Sequence, residues 1–248
     1  MEKYEHIRQF HLKSCELDFK DELKISSALA YMEEAACSSA DELGFGYTYI
    51  KPKGYGFMIS NICCEFTRPV RLGETLTVVT WPNPPSFVVF GREYRFLSDE
   101  QEVLMNASSR WCLVDMTTGK LLQSKAIDNQ DYSTYNTEKA LENVKWKLPA
   151  FPLEEGELRF SLKIANSEYD HNMHVNNTRY ADYCLNCFSI KELSDKYVKR
   201  FCISYVKQCK EGDKLQFYRK RMDEGWLVQG LNENAEIAVQ AQIVFADG

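Results

Sequence analysis

One octet of the chain, residues 170–177, brings several side chains suited to acid–base chemistry close together in the sequence. It reads Asp-His-Asn-Met-His-Val-Asn-Asn and contains two of the four histidines in the sequence. In an extended segment alternate side chains share a face, so Asp170, Asn172 and His174 are expected to converge. A carboxylate, an amide and an imidazole in one place can activate water and orient a polar substrate group. This combination favours acyl transfer.

A helix is predicted to begin directly after this octet, at Asn176 or Asn177, and to run to about Leu193. The unpaired N–H groups at its start and its positive dipole end stabilise an oxygen that gains negative charge. Asn176 and Asn177 are suited to capping this helix. The alternative for the octet is that its Asp and Asn residues only cap turns and helix ends, which is their usual role.

The elements that must position the octet have clear patterns. A helix rich in Ala and Ser is predicted from Ser26 or Ser27 to Leu43, closed by Gly44, and its small side chains allow it to lie close to a sheet. Apolar and polar residues alternate strictly over residues 158–164, which predicts a half-buried strand in the second half of the chain.

The segments after the two helices resemble each other. Residues 65–76 and 204–215 align without a gap, with an aromatic residue, a Gly-acid turn and a Leu at matching positions. Long strand patterns follow in both halves, over residues 88–96, 103–114, 226–230 and 237–245. This repetition predicts an α+β protein with a tandem (double) hot-dog fold, in which two antiparallel sheets each wrap around one long helix. The alternative is a generic α+β protein whose halves match by chance.

A polar stretch without periodicity separates the two halves. It covers residues 123–156 and carries Pro149 and Pro152, as connections between domains commonly do. We therefore predict an N-terminal repeat over residues 1–130, a linker over residues 131–155 and a C-terminal repeat over residues 156–248.

Composition narrows the class of protein. The 248 residues are 44% hydrophobic and 27% charged, which is enough for a folded core. The formal net charge of −6 argues against a general nucleic-acid binder, because such proteins need excess Lys and Arg. The sequence has no apolar run of the roughly 18 residues that a membrane span needs, and residues 1–6 lack a signal pattern. Nine cysteines, an odd number, leave at least one thiol free and favour a reducing, cytoplasmic location.

The sequence predicts no metal and no organic cofactor. Cys184 and Cys187 form a Cys-x-x-Cys pair, but they fall inside the second predicted helix, and no second pair follows at ligand spacing. We interpret both as small apolar core residues. The sequence also lacks a glycine-rich phosphate loop.

The octet resembles the active-site motif of the acyl-acyl carrier protein thioesterases of plants and bacteria. The matching residues are Asp170-x-Asn172-x-His174-Val175-Asn176-Asn177 and Tyr180, with Tyr205 and Cys209 matching the downstream catalytic strand of the family. The likeness extends through residues 32–36, Arg68-Pro69, Gly73-Glu74, Trp111 and Gly119. It implies a tandem hot-dog enzyme that hydrolyses the fatty acyl thioester on the phosphopantetheine arm of an acyl carrier protein, its protein partner, and releases a free fatty acid.

The resemblance also implies a division of roles between the repeats. The N-terminal repeat is expected to hold the acyl tail, and the C-terminal repeat to supply the catalytic groups. The residues expected to bind substrate are Met32, Phe57, Met58 and Trp111 for the tail, with Asn176 and Asn177 beside the catalytic octet.

Gln208 departs from the family pattern, which usually has Glu at this position before the downstream Cys. Two mechanisms stay open. In the first, Cys209 is a thiolate nucleophile activated by His174. In the second, which we favour because Cys209 lies in a predicted strand among eight other unremarkable cysteines, Asp170 is the base for water or a transient nucleophile. Asn172 and His174 then orient water and thioester, and the Gln208 amide positions the water.

Positive charge is concentrated beside the catalytic repeat. Residues 191–221 contain ten Lys or Arg against four acids, a local charge of +6. Carrier proteins are acidic, so Lys207, Lys210 and Lys214 are expected to form a docking face that speeds encounter; an unevenly charged solvated surface is the alternative. Two rival functions also stay open, an acyl-coenzyme A thioesterase or dehydratase of the same fold and a non-catalytic acyl-binding protein. A homodimer is left open too, although duplication can replace the dimer that a single repeat needs.

Overall fold

The computed structural model describes residues 3–128 and 131–248, and most of it is one antiparallel β-sheet with helices packed against it. The strands are β1 (His6–His11), β2 (Tyr55–Phe66), β3 (Thr75–Pro82), β4 (Val89–Leu97), β5 (Val103–Asp115), β6 (Leu121–Leu122), β7 (Glu157–Lys163), β8 (Lys196–Tyr205), β9 (Lys214–Arg221), β10 (Trp226–Leu231) and β11 (Ile237–Asp247). The α-helices are α1 (Ile25–Glu42), α2 (Tyr47–Ile50), α3 (Asn177–Leu185) and α4 (Ile190–Leu193). Among the described helices, none has the length and apolar character needed to cross a membrane.

The strand order shows the duplication directly. Ten strands follow one path, β1-β3-β4-β5-β2-β8-β11-β10-β9-β7, and β6 pairs with β5 outside it. The second half of this path is the first half in reverse, since β7 to β11 occupy the places of β1 to β5. The tandem hot-dog fold predicted from the sequence is therefore confirmed. The two predicted sheets differ from expectation in one respect, because β2 and β8 pair and join them into a single sheet.

The seam between the repeats lies at equivalent positions of β2 and β8. Cys63 and Cys202 are opposite each other in the register, are 139 residues apart and form a disulfide. The same separation relates Gly73 to Gly212, the two turn glycines of the aligned segments, whose φ values are 91° and 92°. The approximate two-fold axis that relates the repeats therefore passes between Cys63 and Cys202. The sequence analysis did not predict the disulfide, and the other seven cysteines are free.

Helix α1 packs closely on the first half of the sheet, as its small residues predict. Ala28 and Ala35 are fully buried in the main core. The predicted capping role of Ser26 is wrong, because the helix begins one residue earlier and Ser26 is buried within it. Its side chain instead hydrogen-bonds Asp182 of α3, and the two helices are thereby linked.

The second helix is shorter than predicted, since α3 ends at Leu185 and not near Leu193. Ser189 starts a new helical turn after it: its hydroxyl accepts a hydrogen bond from the Glu192 backbone N–H at 3.3 Å, and its own N–H donates to the Glu192 carboxylate at 2.8 Å. This capping box satisfies backbone groups that a continuous helix would pair internally. The predicted helix is therefore two helices, α3 and α4.

The segment predicted as a linker packs on the seam. The boundary residue 130 lies outside the described residues, but residues 131–155 are described. Leu148 forms a small buried cluster with Cys63 and Cys202, and Asn61 of β2 donates a side-chain hydrogen bond to the Trp146 carbonyl at 3.1 Å. The connection thus contributes to the folded structure where the repeats meet.

Candidate active site

The octet at residues 170–177 begins with a closed turn, so the expectation of an extended segment is wrong. Tyr169 and Val175 form an isolated antiparallel bridge, and the Asp170 N–H donates to the His174 carbonyl at 2.8 Å. The Met173 N–H donates to the Asp170 carbonyl at 3.1 Å, and Met173 has a φ of 61°. Because the backbone turns here, alternation along a strand does not place the side chains of Asp170, Asn172 and His174.

The Asp170 carboxylate holds this turn in place. Its Oδ1 atom accepts hydrogen bonds from the backbone N–H groups of Asn172 at 2.8 Å and His174 at 3.2 Å. The structural role that Asp commonly has in turns is therefore present here. Its Oδ2 atom makes no hydrogen bond with the described residues, which leaves one oxygen of the carboxylate open to a substrate or water.

The turn faces the N-terminal repeat. The His171 ring contacts the Tyr47 ring of α2 edge-on, with centroids 5.8 Å apart. His174 is half-buried, Asn172 is exposed, and neither side chain hydrogen-bonds to the described part of the chain. Both are thus free to bind a ligand. The candidate site lies where the turn at residues 170–175 of the C-terminal repeat contacts helix α2 of the N-terminal repeat.

Asn176 and Asn177 sit at the start of α3, as predicted, but they have different roles. The Asn176 side chain caps the helix, accepting hydrogen bonds from the Thr178 N–H at 2.9 Å and the Thr178 hydroxyl at 2.7 Å. The Asn177 carbonyl accepts a hydrogen bond from the Tyr205 hydroxyl at 3.1 Å. Tyr205 therefore links the end of β8 to the start of α3.

A small cavity of about 10 Å³ lies beside the start of α3. Its walls come from both repeats: Leu29, Met32, Glu33, Ile59, Ile62, Tyr94, Trp111, Asn177, Thr178 and Tyr205. Two of the residues predicted for the acyl tail, Met32 and Trp111, thus line it together with Asn177. This volume is close to the minimum that one water molecule needs, about 10–15 Å³.

Phe57 and Met58, also predicted to bind the tail, do not line this cavity. Phe57 packs in a separate cluster, with its ring centroid 5.1 Å from that of Phe90 and 6.1 Å from that of Phe45. Met58 is the next residue of β2 and so points to the opposite face. A larger cleft of about 370 Å³ is formed by segments 18–25, 66–70 and 182–198 with Phe245, and no predicted site residue lines it.

Glu33 of α1 is a site residue that the sequence analysis did not select. It is half-buried on the cavity wall. Burial raises the pKa of the Glu33 carboxyl, the negative charge of Asp170 raises it further, and His171 acts in the opposite direction. The sequence did contain a signal for Glu33: it is an acid that directly follows Met32, a predicted tail-binding residue, in a helix rich in small residues.

Cys209 is placed poorly for a nucleophile. It follows β8 and does not lie within a strand, contrary to the prediction, and it is buried. Its thiol donates to the Lys207 carbonyl at 3.9 Å. Burial raises the pKa of the thiol, and a hydrogen bond from Tyr180 opposes this shift. A thiol kept protonated by burial reacts slowly, and Gln208 beside it is exposed.

The three lysines predicted to dock a carrier protein are exposed, but two of them have acidic partners. Lys207 forms an ion pair with Glu236, and Lys214 Nζ lies 3.4 Å from a Glu233 carboxylate oxygen. Lys210 has no ion-pair partner in the described structure. The local charge predicted from residues 191–221 is therefore reduced by acids outside that segment.

Fold and site together define a double hot-dog protein in which a polar turn with Asp, Asn and His contacts the N-terminal repeat through His171 and Tyr47. No group of three or more possible metal ligands occurs among residues 3–128 and 131–248. The chain matches the acyl-ACP thioesterase N-terminal domain over residues 3–126 and the acyl-ACP thioesterase C-terminal domain over residues 154–246. It belongs to the acyl-ACP thioesterase family, where ACP stands for acyl carrier protein, and the resemblance found in the sequence is confirmed.

Individual relatives are distant in sequence and close in fold. The chloroplastic acyl-[acyl-carrier-protein] hydrolase FATB3 of Cuphea viscosissima is 21% identical over 220 residues, which cover 84% of this chain and 53% of that protein. The chain thus spans about half the length of this curated relative. An acyl-ACP thioesterase from Bacteroides thetaiotaomicron is 20% identical with a TM-score of 0.88, and the 12:0-ACP thioesterase from Umbellularia californica is 17% identical with a TM-score of 0.88. In both comparisons 98% of each chain is covered, so the fold is shared throughout.

Proposed function

We propose that this protein hydrolyses the thioester of fatty acyl-ACP and releases a free fatty acid. The observation that carries the proposal is the turn at residues 170–175, which presents an open carboxylate oxygen and a free imidazole at the start of α3. Membership of the acyl-ACP thioesterase family supports the same reaction.

Hydrolysis follows from the residues in this turn. Asp170 takes a proton from water through its open oxygen, and the water oxygen forms a bond to the thioester carbonyl carbon. Asn172 and His174 orient the water and the thioester, and the exposed Gln208 amide helps to position the water. The N-terminal end of α3 stabilises the oxyanion through its positive dipole end and the Asn177 N–H, since the N–H groups of Asn176, Thr178 and Arg179 are already hydrogen-bonded. The C–S bond then breaks, its electron pair goes to sulfur, which takes up a proton, and the products are the fatty acid and the thiol of the carrier-protein arm.

The acyl tail requires the cavity at the seam to open. A cavity of about 10 Å³ is far smaller than ligand pockets, which commonly have about 300–1,000 Å³. Met32 and Trp111 form part of its wall, and movement of their side chains would extend it into the N-terminal repeat. The tail pocket is therefore proposed along these two residues, without Phe57 or Met58 in its first segment.

A direct comparison of substrates tests the proposed function. We expect a higher kcat/KM for acyl-ACP than for the acyl-coenzyme A of the same chain length, measured by thiol release at matched salt. Binding of both thioesters, measured in parallel, separates a catalyst from a binding protein. Tight binding without thiol release would contradict the proposal and favour an acyl-binding protein, and a preference for acyl-coenzyme A would assign the site to the rival hydrolase class.

The docking face is tested by reversing Lys207, Lys210 and Lys214 to Glu. We expect kcat/KM for acyl-ACP to fall about tenfold or more, and turnover of a small neutral thioester to persist, because rim charges act mainly on association. The loss should grow at low salt, since the Debye length rises from about 10 Å at 0.1 M to about 30 Å at 0.01 M.

A triple reversal elsewhere provides the control for that experiment. Lys125, Lys145 and Lys147 are exposed and have no ion-pair partner in the described ranges. Changing these three to Glu alters the net charge equally and should leave the salt dependence for acyl-ACP unchanged. Equal losses in both triple variants would mean that net charge, and not a docking face, controls the encounter.

A further inference from the structure

Glu33 is a carboxyl group of the N-terminal repeat that faces the catalytic turn. It lines the cavity at the start of α3 together with Asn177, Thr178 and Tyr205. It makes no hydrogen bond and no ion pair with residues 3–128 or 131–248, although it is half-buried. Polar groups taken out of water normally have a partner, because an unpaired one is costly. Asp170, Asn172 and His174 do not line this cavity, but Asp170 and His171 lie close enough to Glu33 to act on its charge. An unpaired acid on a cavity wall, within electrostatic reach of the turn, is therefore available to a substrate.

The charged groups around Glu33 come from three elements. Asp170 and His171 act on it from the catalytic turn, and Tyr205 faces it from the end of β8. Glu34 and Cys37 are its neighbours on α1. Burial and the charge of Asp170 both raise the pKa of Glu33 and so favour its protonated form. Two neighbouring carboxyl groups that are held in different protonation states can serve as acid and base in one reaction.

We propose that Glu33 is a second catalytic residue, the general acid that protonates the departing sulfur of the thioester. The inference rests on the proposed function and adds a residue from the other repeat to its mechanism. In the forward step, water forms a bond to the carbonyl carbon and gives its proton to Asp170. The C–S bond breaks, its electron pair goes to sulfur, and sulfur takes the proton of Glu33. The products are a carboxylic acid and a thiol, and Asp170 returns the proton to Glu33 through solvent.

The leaving group provides a sharp test with Glu33→Gln. An alkyl thiol of the pantetheine type leaves poorly without a proton, whereas an aryl thiol of low pKa leaves as the thiolate. We expect Glu33→Gln to lower kcat for a pantetheine thioester about 10²-fold, at the lower end of general acid effects. On the aryl thioester of the same acid the loss should be threefold or less. A residue that only supports the fold would produce equal losses on both substrates.

The pH dependence provides a second readout. Because Glu33 acts in its protonated form, kcat/KM for the pantetheine thioester should fall as the pH rises through its raised pKa. The Glu33→Gln variant should lack this decrease. Glu34→Gln is the matched control, since Glu34 is exposed on the same helix and pairs with Arg8 at 3.0 Å; it should retain the parent activity and pH profile.

The outcomes separate this inference from the proposed function. If the parent enzyme hydrolyses the pantetheine thioester and the Glu33→Gln variant does so at the same rate, only the role of Glu33 is contradicted and the proposed function stands. Equal losses on the alkyl and aryl thioesters would also contradict it. A parent enzyme inactive on both thioesters and on acyl-ACP would overturn the proposed function and this inference with it.

Discussion

Asp170→Asn is expected to lower kcat/KM for acyl-ACP by about 10²- to 10⁴-fold and to leave the fold intact. The asparagine oxygen can still accept the two backbone hydrogen bonds that Asp170 accepts from Asn172 and His174, so the turn should persist. An amide cannot take a proton from water at neutral pH, so the base is lost. Steady-state kinetics, with thermal unfolding and circular dichroism on the same samples, measure both parts of this prediction.

Cys209→Ser is the matched control, because it alters the other residue that could start the reaction. If water attacks directly, this variant should keep a substantial share of the activity, and mass spectrometry should find no acyl-cysteine. A trapped acyl-cysteine, or near-normal turnover of Asp170→Asn, would overturn the water mechanism. His174→Ala and Asn172→Ala should also be strongly impaired, and either one that stays active does not belong to the site.

The fold was predictable because its signals are local and occur twice. The strand patterns over residues 88–96, 103–114, 226–230 and 237–245 match β4, β5, β10 and β11 to within two residues at each end, whereas β2 and most of β8 were not predicted. The alignment of residues 65–76 with 204–215 indicated the duplication. Helix α1 was predictable from its small residues, which allow close contact with a sheet. The pairing of β2 with β8 was not, since nothing in either strand specifies which edge of one repeat meets the other.

The turn at residues 170–175 shows where pattern analysis fails. The residue types of the octet were informative, because Asp, Asn and His together are suited to acyl transfer. Their geometry was assigned by strand alternation, which does not apply to a segment with a positive φ at Met173 and a backbone bond from Asp170 to His174. A turn of this kind depends on side-chain to backbone bonds, which leave no periodic signal in the sequence.

Glu33 was not selected for a different reason. It lies far from the octet in sequence and reaches the site only because the two repeats pack together, as the contact of Tyr47 with His171 also shows. The resemblance to a family identified residues 32–36 as matching and gave a role, binding of the acyl tail, to Met32 but none to Glu33. Sites built across a seam between repeats need the tertiary structure before their residues can be recognised.

The segment predicted as a linker contains Lys139, the ion-pair partner of a buried glutamate in the N-terminal repeat. Glu93 of β4 is almost fully buried, with 3% of its side chain exposed, and Lys139 Nζ lies 3.1 Å from its Oε1 atom. The other carboxylate oxygen accepts hydrogen bonds from the Ser108 hydroxyl and from the Ala140 N–H. Lys139 also donates to the Asn83 side chain. Residues 139 and 140 thus fasten the connecting segment to the first half of the sheet.

Lys139→Met is expected to destabilise the protein by about 2–3 kcal/mol, because it leaves the Glu93 charge buried without its ion-pair partner. The estimate lies below the full cost of a broken buried pair, since Lys139 is 49% exposed and solvent screens part of the interaction. For a chain of this size the change corresponds to a fall in Tm of roughly 5–10 °C. Urea unfolding and calorimetry at neutral pH measure it.

A double-mutant cycle assigns that loss to the Glu93 charge. In a Glu93→Gln background the same Lys139→Met change should cost less than about 1 kcal/mol, because no buried charge remains to be left unpaired. Lys145→Met is the matched control, since Lys145 is exposed in the same segment and has no ion-pair partner in the described ranges; surface changes of this kind usually stay within about 0.5 kcal/mol. If Lys139→Met lowers the free energy of unfolding equally in both backgrounds, packing of the lysine stem stabilises the segment and the Glu93 charge does not. If Lys139→Met is as stable as the Lys145→Met control, residues 131–155 behave as a free linker in solution.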